Sequence, residues 1–197
     1  MAHYDLLVIG TGPAGQKAAV QAAKLGKKVG IIERKEVVGG VSTNTGTIPS
    51  KALREAVLYL AGFRQRTLYG AEYRLKKTIT IQDLAFRADH VIKNEIAIVQ
   101  NQMARNRIDL IYGMARFLDP HRLLIEKAGA SDEHRAHAII IAVGTEPARP
   151  TEIPFDEDTI IDTDGFLRLN HIPASITVVG GGVIGTEYAS ILAMMGV

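Results

Sequence analysis

Leu6-Leu7-Val8-Ile9-Gly10-Thr11-Gly12-Pro13-Ala14-Gly15 is an apolar run that ends in three glycines at the spacing Gly-x-Gly-x-x-Gly. A buried parallel strand, predicted over Tyr4 to Ile9, delivers the chain to that loop. A helix is predicted from Ala14 to Leu25, with Gly26 closing it. A second strand follows from Lys28 to Glu33. Together these make a βαβ unit of about thirty residues, the size of a nucleotide-binding half. Gly10 permits the tight strand-to-helix turn, Gly12 lets backbone approach a pyrophosphate, and Gly15 lets helix and strand pack closely. The helix start, with Pro13 and Ala14 in it, offers N–H groups and a positive dipole end to phosphates. Glu33 lies eighteen residues after Gly15. It closes the second strand, where a carboxylate accepts from a ribose 2′-OH. Arg34 follows it and is grouped with the cofactor side.

The same logic returns near the other end. Ile176 to Val179 reads as a strand, Gly180-Gly181-Gly182-Val183-Ile184-Gly185 as the loop, and Val183 to Met195 as a helix. Two such loops suggest an enzyme that moves electrons between two nucleotide cofactors. The sequence runs twelve residues past Gly185. The expectation is therefore an N-terminal part of a longer protein, with the second ribose-reading residue lying beyond it. The strand at Ile176 and the apolar helix after it are expected to be association liabilities.

Composition sets limits. The 197 residues carry a net charge of +2, and 47% of them are hydrophobic. A nearly neutral chain of this kind is an ordinary globular one, with nothing global to attract nucleic acid or an anionic membrane. The basic stretch Arg64, Arg66, Arg74, Lys76, Lys77 is interrupted by Glu72 and reads as a solvated surface. With no cysteine, disulfides, thiolate metal sites and thiol redox catalysis are excluded from this segment, and no metal site is expected. No apolar run approaches the ~20 residues of a membrane span. A cytoplasmic location is the default expectation.

Between the fingerprints, Gly39 to Pro49 reads as a loop and Pro49 to Leu60 as a helix with proline in its first turn. Leu84 to Asn106 reads as a long helix whose Val91, Ile92, Ile96, Val99 and Met103 form a core-facing stripe. Short strands are predicted at Ile108–Tyr112, Ala115–Leu118 and Arg122–Glu126, with a turn at Asp119-Pro120-His121. Polar Lys127 to Ala136 reads as a hairpin loop, and Ala138 to Val143 as a buried strand. Proline-rich Pro147 to Pro154 reads as the start of a linker.

The stretch Gly39-Gly40-Val41-Ser42-Thr43-Asn44-Thr45-Gly46-Thr47-Ile48-Pro49-Ser50-Lys51 resembles the flavin loop of the pyridine nucleotide–disulfide oxidoreductases. Members of that family carry two cysteines five residues apart, at the positions of Ser42 and Thr47. An alkyl hydroxyl cannot take over thiolate chemistry, so disulfide reduction is disfavoured here. The run Gly46 to Arg54 is most similar to the soluble pyridine nucleotide transhydrogenase branch, which also has threonine at the second position. That branch usually keeps a cysteine where this chain has Ser42. The likeness extends through Gly113-Met114-Ala115, Ala142-Val143-Gly144 and Gly182 to Ser190.

The resemblance implies FAD on the first fingerprint, contacted by Gly39, Gly40, Ser42, Thr47, Gly113, Ala115, Ala142 and Gly144. It implies NAD(H) or NADP(H) on the second. It also implies that Lys51 lies near the flavin and pairs with Glu187, stabilising negative charge on the reduced ring. A lysine in the first turn of a helix opposes the macrodipole, which is why an anionic partner is expected. The resemblance also implies a histidine–glutamate pair in an interface domain, and none of the six histidines fits it. The implied function is hydride transfer from NADPH through FAD to NAD⁺, in a homo-oligomer when the protein is whole. Two readings compete with it. One is a lipoamide dehydrogenase-like flavoprotein without redox cysteines, using lipoamide or a quinone. The other is a non-catalytic nucleotide-binding module. The expected architecture is α/β. A Rossmann-like FAD domain at residues 1–148 has a parallel sheet with an antiparallel insertion. A linker follows at 149–174, then the first strand and helix of a second nucleotide domain at 175–197.

Overall fold

The computed structural model describes residues 2–72 and 80–197. Arg74, Lys76 and Lys77 of the basic stretch lie outside the described residues. The chain divides into two compact units. One comprises Met1–Thr43 with Asn94–Glu146, the other Asn44–Lys93 with Pro147–Val197.

The first unit is built on one sheet. Its strands are β1 (Ala2–Ile9), β2 (Val29–Glu33), β3 (Asp109–Tyr112), β4 (Met114–Asp119), β5 (Arg122–Lys127) and β6 (Ala130–Ile141), in the order β3-β2-β1-β6-β5-β4. The first four in that order run parallel; β5 is then added antiparallel to β6, and β4 antiparallel to β5. This is a Rossmann-like sheet with an antiparallel insertion, as expected. Helix α1 (Pro13–Lys24) ends in a Schellman motif. Gly26, at φ +77°, donates to the Ala23 carbonyl and Lys27 N–H donates to that of Ala22. Leu6, Val8, Val29 and Ile31 pack with Ala19 and Val20 of α1 and with Val99 and Met103. Across the sheet, Leu7, Ile32, Leu123 and Ile125 form a second core.

Polar 127–136 is not a loop. The turn is only Ala128-Gly129, both at positive φ, and pairing resumes at Lys127↔Ala130. Two central residues at positive φ match the strand twist that a two-residue hairpin requires. The polar side chains mark strand residues that are largely exposed, which composition alone reads as loop. β6 then pairs with β1 from Ala2↔His134 to Ile9↔Ile141, so the strand stops before Val143.

The second unit is helical. It holds α3 (Thr47–Leu60), α4 (Phe63–Tyr69), residues 81–93 of α5 (Ile81–Arg105), α6 (Thr163–Phe166) and α7 (Val183–Met195). The short α2 (Gly40–Asn44) precedes them. Residues 39–49 are therefore partly helical rather than a plain loop. Leu53, Ala56 and Val57 of α3 pack with Leu84, Ala88, Phe166, Leu169, Tyr188, Ile191 and Leu192. The stretch read as a linker thus contributes α6 and two core side chains. Arg149, bonded to Glu157 at 2.5 Å and Asp162 at 2.7 Å, ties that stretch to itself.

No strand forms at 176–179. A strand exists only through a ladder partner, and no described segment pairs with this one. The apolar helix after it is covered on one face: Ile191 and Leu192 are buried. Val179, Val183 and Ile184 stay exposed. No helix among the described residues is long and apolar enough to cross a membrane, and no metal-ligating cluster occurs among them.

Candidate functional site

In the first unit the glycine loop, the end of β2, the Gly39-Gly40 turn and the end of β6 meet. Gly10 has φ +106°, and a Cβ there would lie 2.2 Å from the Ala142 carbonyl oxygen. The Ala142 N–H donates to the Ile9 carbonyl at 2.8 Å, so β6 brings Ala142 against the loop. A Cβ on Gly15 would lie 2.0 Å from the Gly10 oxygen, which is the close helix–strand approach the spacing implied. Gly40, at φ +60°, packs its backbone on Gly12, where a Cβ would meet the Gly12 Cα at 2.8 Å.

Gly12 differs from its neighbours. A Cβ there would meet nothing within 4 Å. No side chain caps α1, whose first turn contains Pro13 and exposed Ala14. An open glycine in front of uncapped helix N–H groups fits a pyrophosphate.

Glu33 is the acid of this cradle and is only 7% exposed. A buried carboxylate requires partners. Its Oε2 accepts the Thr11 N–H at 3.2 Å and the Thr11 hydroxyl at short range. Its Oε1 accepts the Lys35 N–H at 3.0 Å. The Thr11 oxygen in turn accepts the Gly39 N–H at 3.1 Å. Sequence reasoning passed over Thr11 as a spacer between glycines. Its signal was a hydroxyl at a position where the turn asks only for a small residue. Gly113 donates its N–H to the Glu33 carbonyl at 2.8 Å, and Ala115 pairs with Ile125 in β4. Arg34 is exposed and pairs with Glu146 at 3.3 Å, so in this structure it does not join the cradle. Ser42 sits half-buried in α2, and Gly144 follows β6 at φ +71°.

In the second unit Lys51 and Glu187 meet. Lys51 Nζ lies 2.5 Å from Glu187 Oε1. Each is the fifth residue of its helix, α3 and α7. The lysine near the positive end of α3 thus has the carboxylate that the sequence reading looked for. Ser50 is a further partner that the sequence reading did not single out. Its Oγ lies 3.2 Å from Glu187 Oε2 and 3.2 Å from the Thr47 carbonyl. One hydroxyl proton serves one acceptor at a time, and an ionised carboxylate is the stronger. Thr47 itself is exposed at the start of α3. Tyr188, beside Glu187, is buried with its ring edge-on to Phe166. Burial, with Glu187 and Asp164 nearby, pushes its phenol up to about 12.

The second glycine loop repeats the first. Gly180 has φ +107°, and a Cβ on Gly185 would lie 2.1 Å from the Gly180 oxygen. Gly182 precedes an uncapped α7. An open groove runs past Gly180, Gly181, Gly185 and Ser190.

A family model, that of the pyridine nucleotide-disulphide oxidoreductases, matches residues 4–197. The chain belongs to this family. Among its relatives is a soluble pyridine nucleotide transhydrogenase of Mycobacterium bovis, 56% identical over the whole chain. The protein of that name from Colwellia psychrerythraea is 42% identical over 98% of the chain. The chain spans 42% of the length of each. Of solved structures, the Cu(II) complex of the HOCl-induced flavoprotein disulfide reductase RclA from Escherichia coli is similar with TM-score 0.81 and 28% identity. That likeness covers all of this chain and 41% of the other. The chain has Ser42 and Thr47 in the loop from Gly39 to Lys51 and no cysteine.

Proposed function

We propose that this chain is the FAD-holding part of an oxidoreductase that carries hydride from NADPH through flavin to NAD⁺. One observation carries the reading: a buried, fully organised Glu33 stands beside an open Gly12 and the uncapped start of α1. That pairing of ribose acceptor and phosphate cradle is what an adenine dinucleotide needs. FAD, when bound, supplies the hydride-accepting and hydride-donating ring chemistry.

The chain's residues do the rest. Gly10, Gly12, Pro13, Ala14 and Gly15 bind the pyrophosphate through backbone, and Glu33 orients the ribose. Gly39, Gly40, Ser42, Thr47, Gly113, Ala115, Ala142 and Gly144 complete the FAD contacts. Arg34 is proposed to leave Glu146 and join them. Lys51, held by Glu187 and through it by Ser50, presents a cation to charge that develops on reduction. Gly180, Gly182, Val183, Ile184 and Gly185 receive the pyridine nucleotide. Residues 1–148 form the flavin domain and 175–197 begin the nucleotide domain, with 149–174 between them. The whole protein is proposed to be a cytoplasmic homo-oligomer. The names of the transhydrogenase relatives support the choice of substrates. The lack of any thiol in the Ser42–Thr47 loop argues against a disulfide acceptor.

The test is an acceptor comparison in the whole protein. NADPH is offered with a thionicotinamide analogue of NAD⁺, with lipoamide, and with a quinone. FAD-dependent reduction of the NAD⁺ analogue well above the other two supports the proposal. Faster reduction of lipoamide or quinone contradicts it.

A further inference from the structure

We propose that Thr11 is a positioning residue of the nucleotide site: its hydroxyl fixes the Glu33 carboxylate so that Oε1 is the oxygen left for a ribose 2′-OH. This rests on the reading that the first glycine loop holds FAD.

Thr11 is 1% exposed. Each of its polar atoms is engaged. The N–H and hydroxyl both donate to Glu33 Oε2, the hydroxyl oxygen accepts from Gly39 N–H, and the carbonyl accepts from Gln16 Nε2 at 2.7 Å. The hydroxyl therefore joins three segments: the glycine loop, the end of β2 and the Gly39 turn. A carboxylate oxygen has two lone-pair sites. Both sites of Oε2 are filled by Thr11. Among the described residues Oε1 accepts from the Lys35 N–H alone, leaving one site for a ligand hydroxyl. The terminal torsion of glutamate is broad and nearly two-fold. Without the Thr11 hydroxyl, Oε2 keeps the Thr11 N–H but the carboxylate plane is freer to turn about this torsion, and the direction of the free Oε1 lone pair toward ribose is no longer fixed. The turn needs only a small residue at this position, so the hydroxyl is accounted for by Glu33 and Gly39 and not by the turn.

The experiment uses the chain freed of flavin and titrated with FAD, ADP and 2′-deoxy-ADP. The wild-type chain is expected to bind ADP about tenfold tighter than 2′-deoxy-ADP, as one hydrogen bond to a charged group provides. Thr11→Val is expected to weaken FAD about ten- to a hundredfold and to bring the ADP to 2′-deoxy-ADP ratio near one. Thr11→Ser is expected to keep both. Where Thr11→Val does not fold by near-UV circular dichroism, Thr11→Ala removes the hydroxyl without adding volume and carries the same expectation. A hydroxyl-free variant that keeps the wild-type ratio overturns the inference, as does a serine variant that behaves like valine. Wild-type chain that binds FAD yet does not distinguish the two ADP forms also overturns it and leaves the FAD reading standing. Wild-type chain that binds no FAD overturns the reading beneath it.

Discussion

Lys51 Nζ stands 2.5 Å from Glu187 Oε1, joining the starts of two helices 136 residues apart in sequence. The lysine is 59% exposed and the glutamate 18%. An ion pair this open contributes at most about 1 kcal/mol to stability. Under the proposed function its part is to place a cation, and the fold does not depend on it. In the whole enzyme, Lys51→Met is expected to slow reduction of bound flavin by NADPH roughly tenfold, with little change in melting temperature. Stopped-flow rates equal to wild type would contradict the role given to Lys51. Ser50→Ala is expected to slow the same step less, because Glu187 loses the Ser50 hydroxyl but keeps Lys51.

The glycines of the first loop make separable expectations. Gly15→Ala places a methyl 2.0 Å from the Gly10 oxygen. Backbone must shift, at about 1–3 kcal/mol or more, and the melting temperature should fall by several degrees. Gly12→Ala meets no protein atom within 4 Å. It should melt with the wild-type chain but bind FAD about tenfold weaker or worse, since the methyl takes up pyrophosphate space. Thermal melts with and without FAD separate the two, and a Gly12→Ala chain with wild-type affinity would show that the phosphates lie elsewhere.

The pH dependence of stability should report His134. Its Nδ1 is buried and has no hydrogen-bond partner among the described residues, and desolvation lowers its pKa below the ordinary value, with Asp132 opposing. The folded chain then binds fewer protons at this site than the unfolded one. Stability from this site is complete above the unfolded pKa of about 6.5 and is lost as pH falls through and below it. Between pH 7.5 and 5 the wild-type melting temperature should drop more than that of His134→Gln. Equal drops in the two proteins would remove His134 as a source.

Much of this was legible because the fingerprint constrains backbone. Gly-x-Gly-x-x-Gly between an apolar run and an alanine-rich helix has few solutions, and β1, α1, β2 and the placing of Glu33 followed from it. The Lys51–Glu187 pair was legible through the family resemblance, while the helix end by itself asked only for some anion near Lys51. Residues 127–136 were not legible. Their exposed strand carries polar side chains, and only the pairing of Arg122↔Arg135 through Lys127↔Ala130 shows it as a strand. Residues 176–179 failed in the opposite sense, since β-branched apolar residues favour a strand but pairing depends on a neighbour. The linker reading of 149–174 missed α6, whose helix is four residues long and stands on an Asp162 cap and the burial of Phe166. Ser50 and Thr11 carry the most local chemistry of the missed residues, and small hydroxyls beside glycine or proline read as turn formers until their acceptors are known.

The central claim is that the first glycine loop and Glu33 hold FAD. Its most direct test is calorimetric titration of the flavin-free chain with FAD, beside Glu33→Gln. The account expects one FAD per chain, with Glu33→Gln at least about tenfold weaker. A chain that takes up no FAD, or a Glu33→Gln variant that binds it as tightly as wild type, would contradict the account.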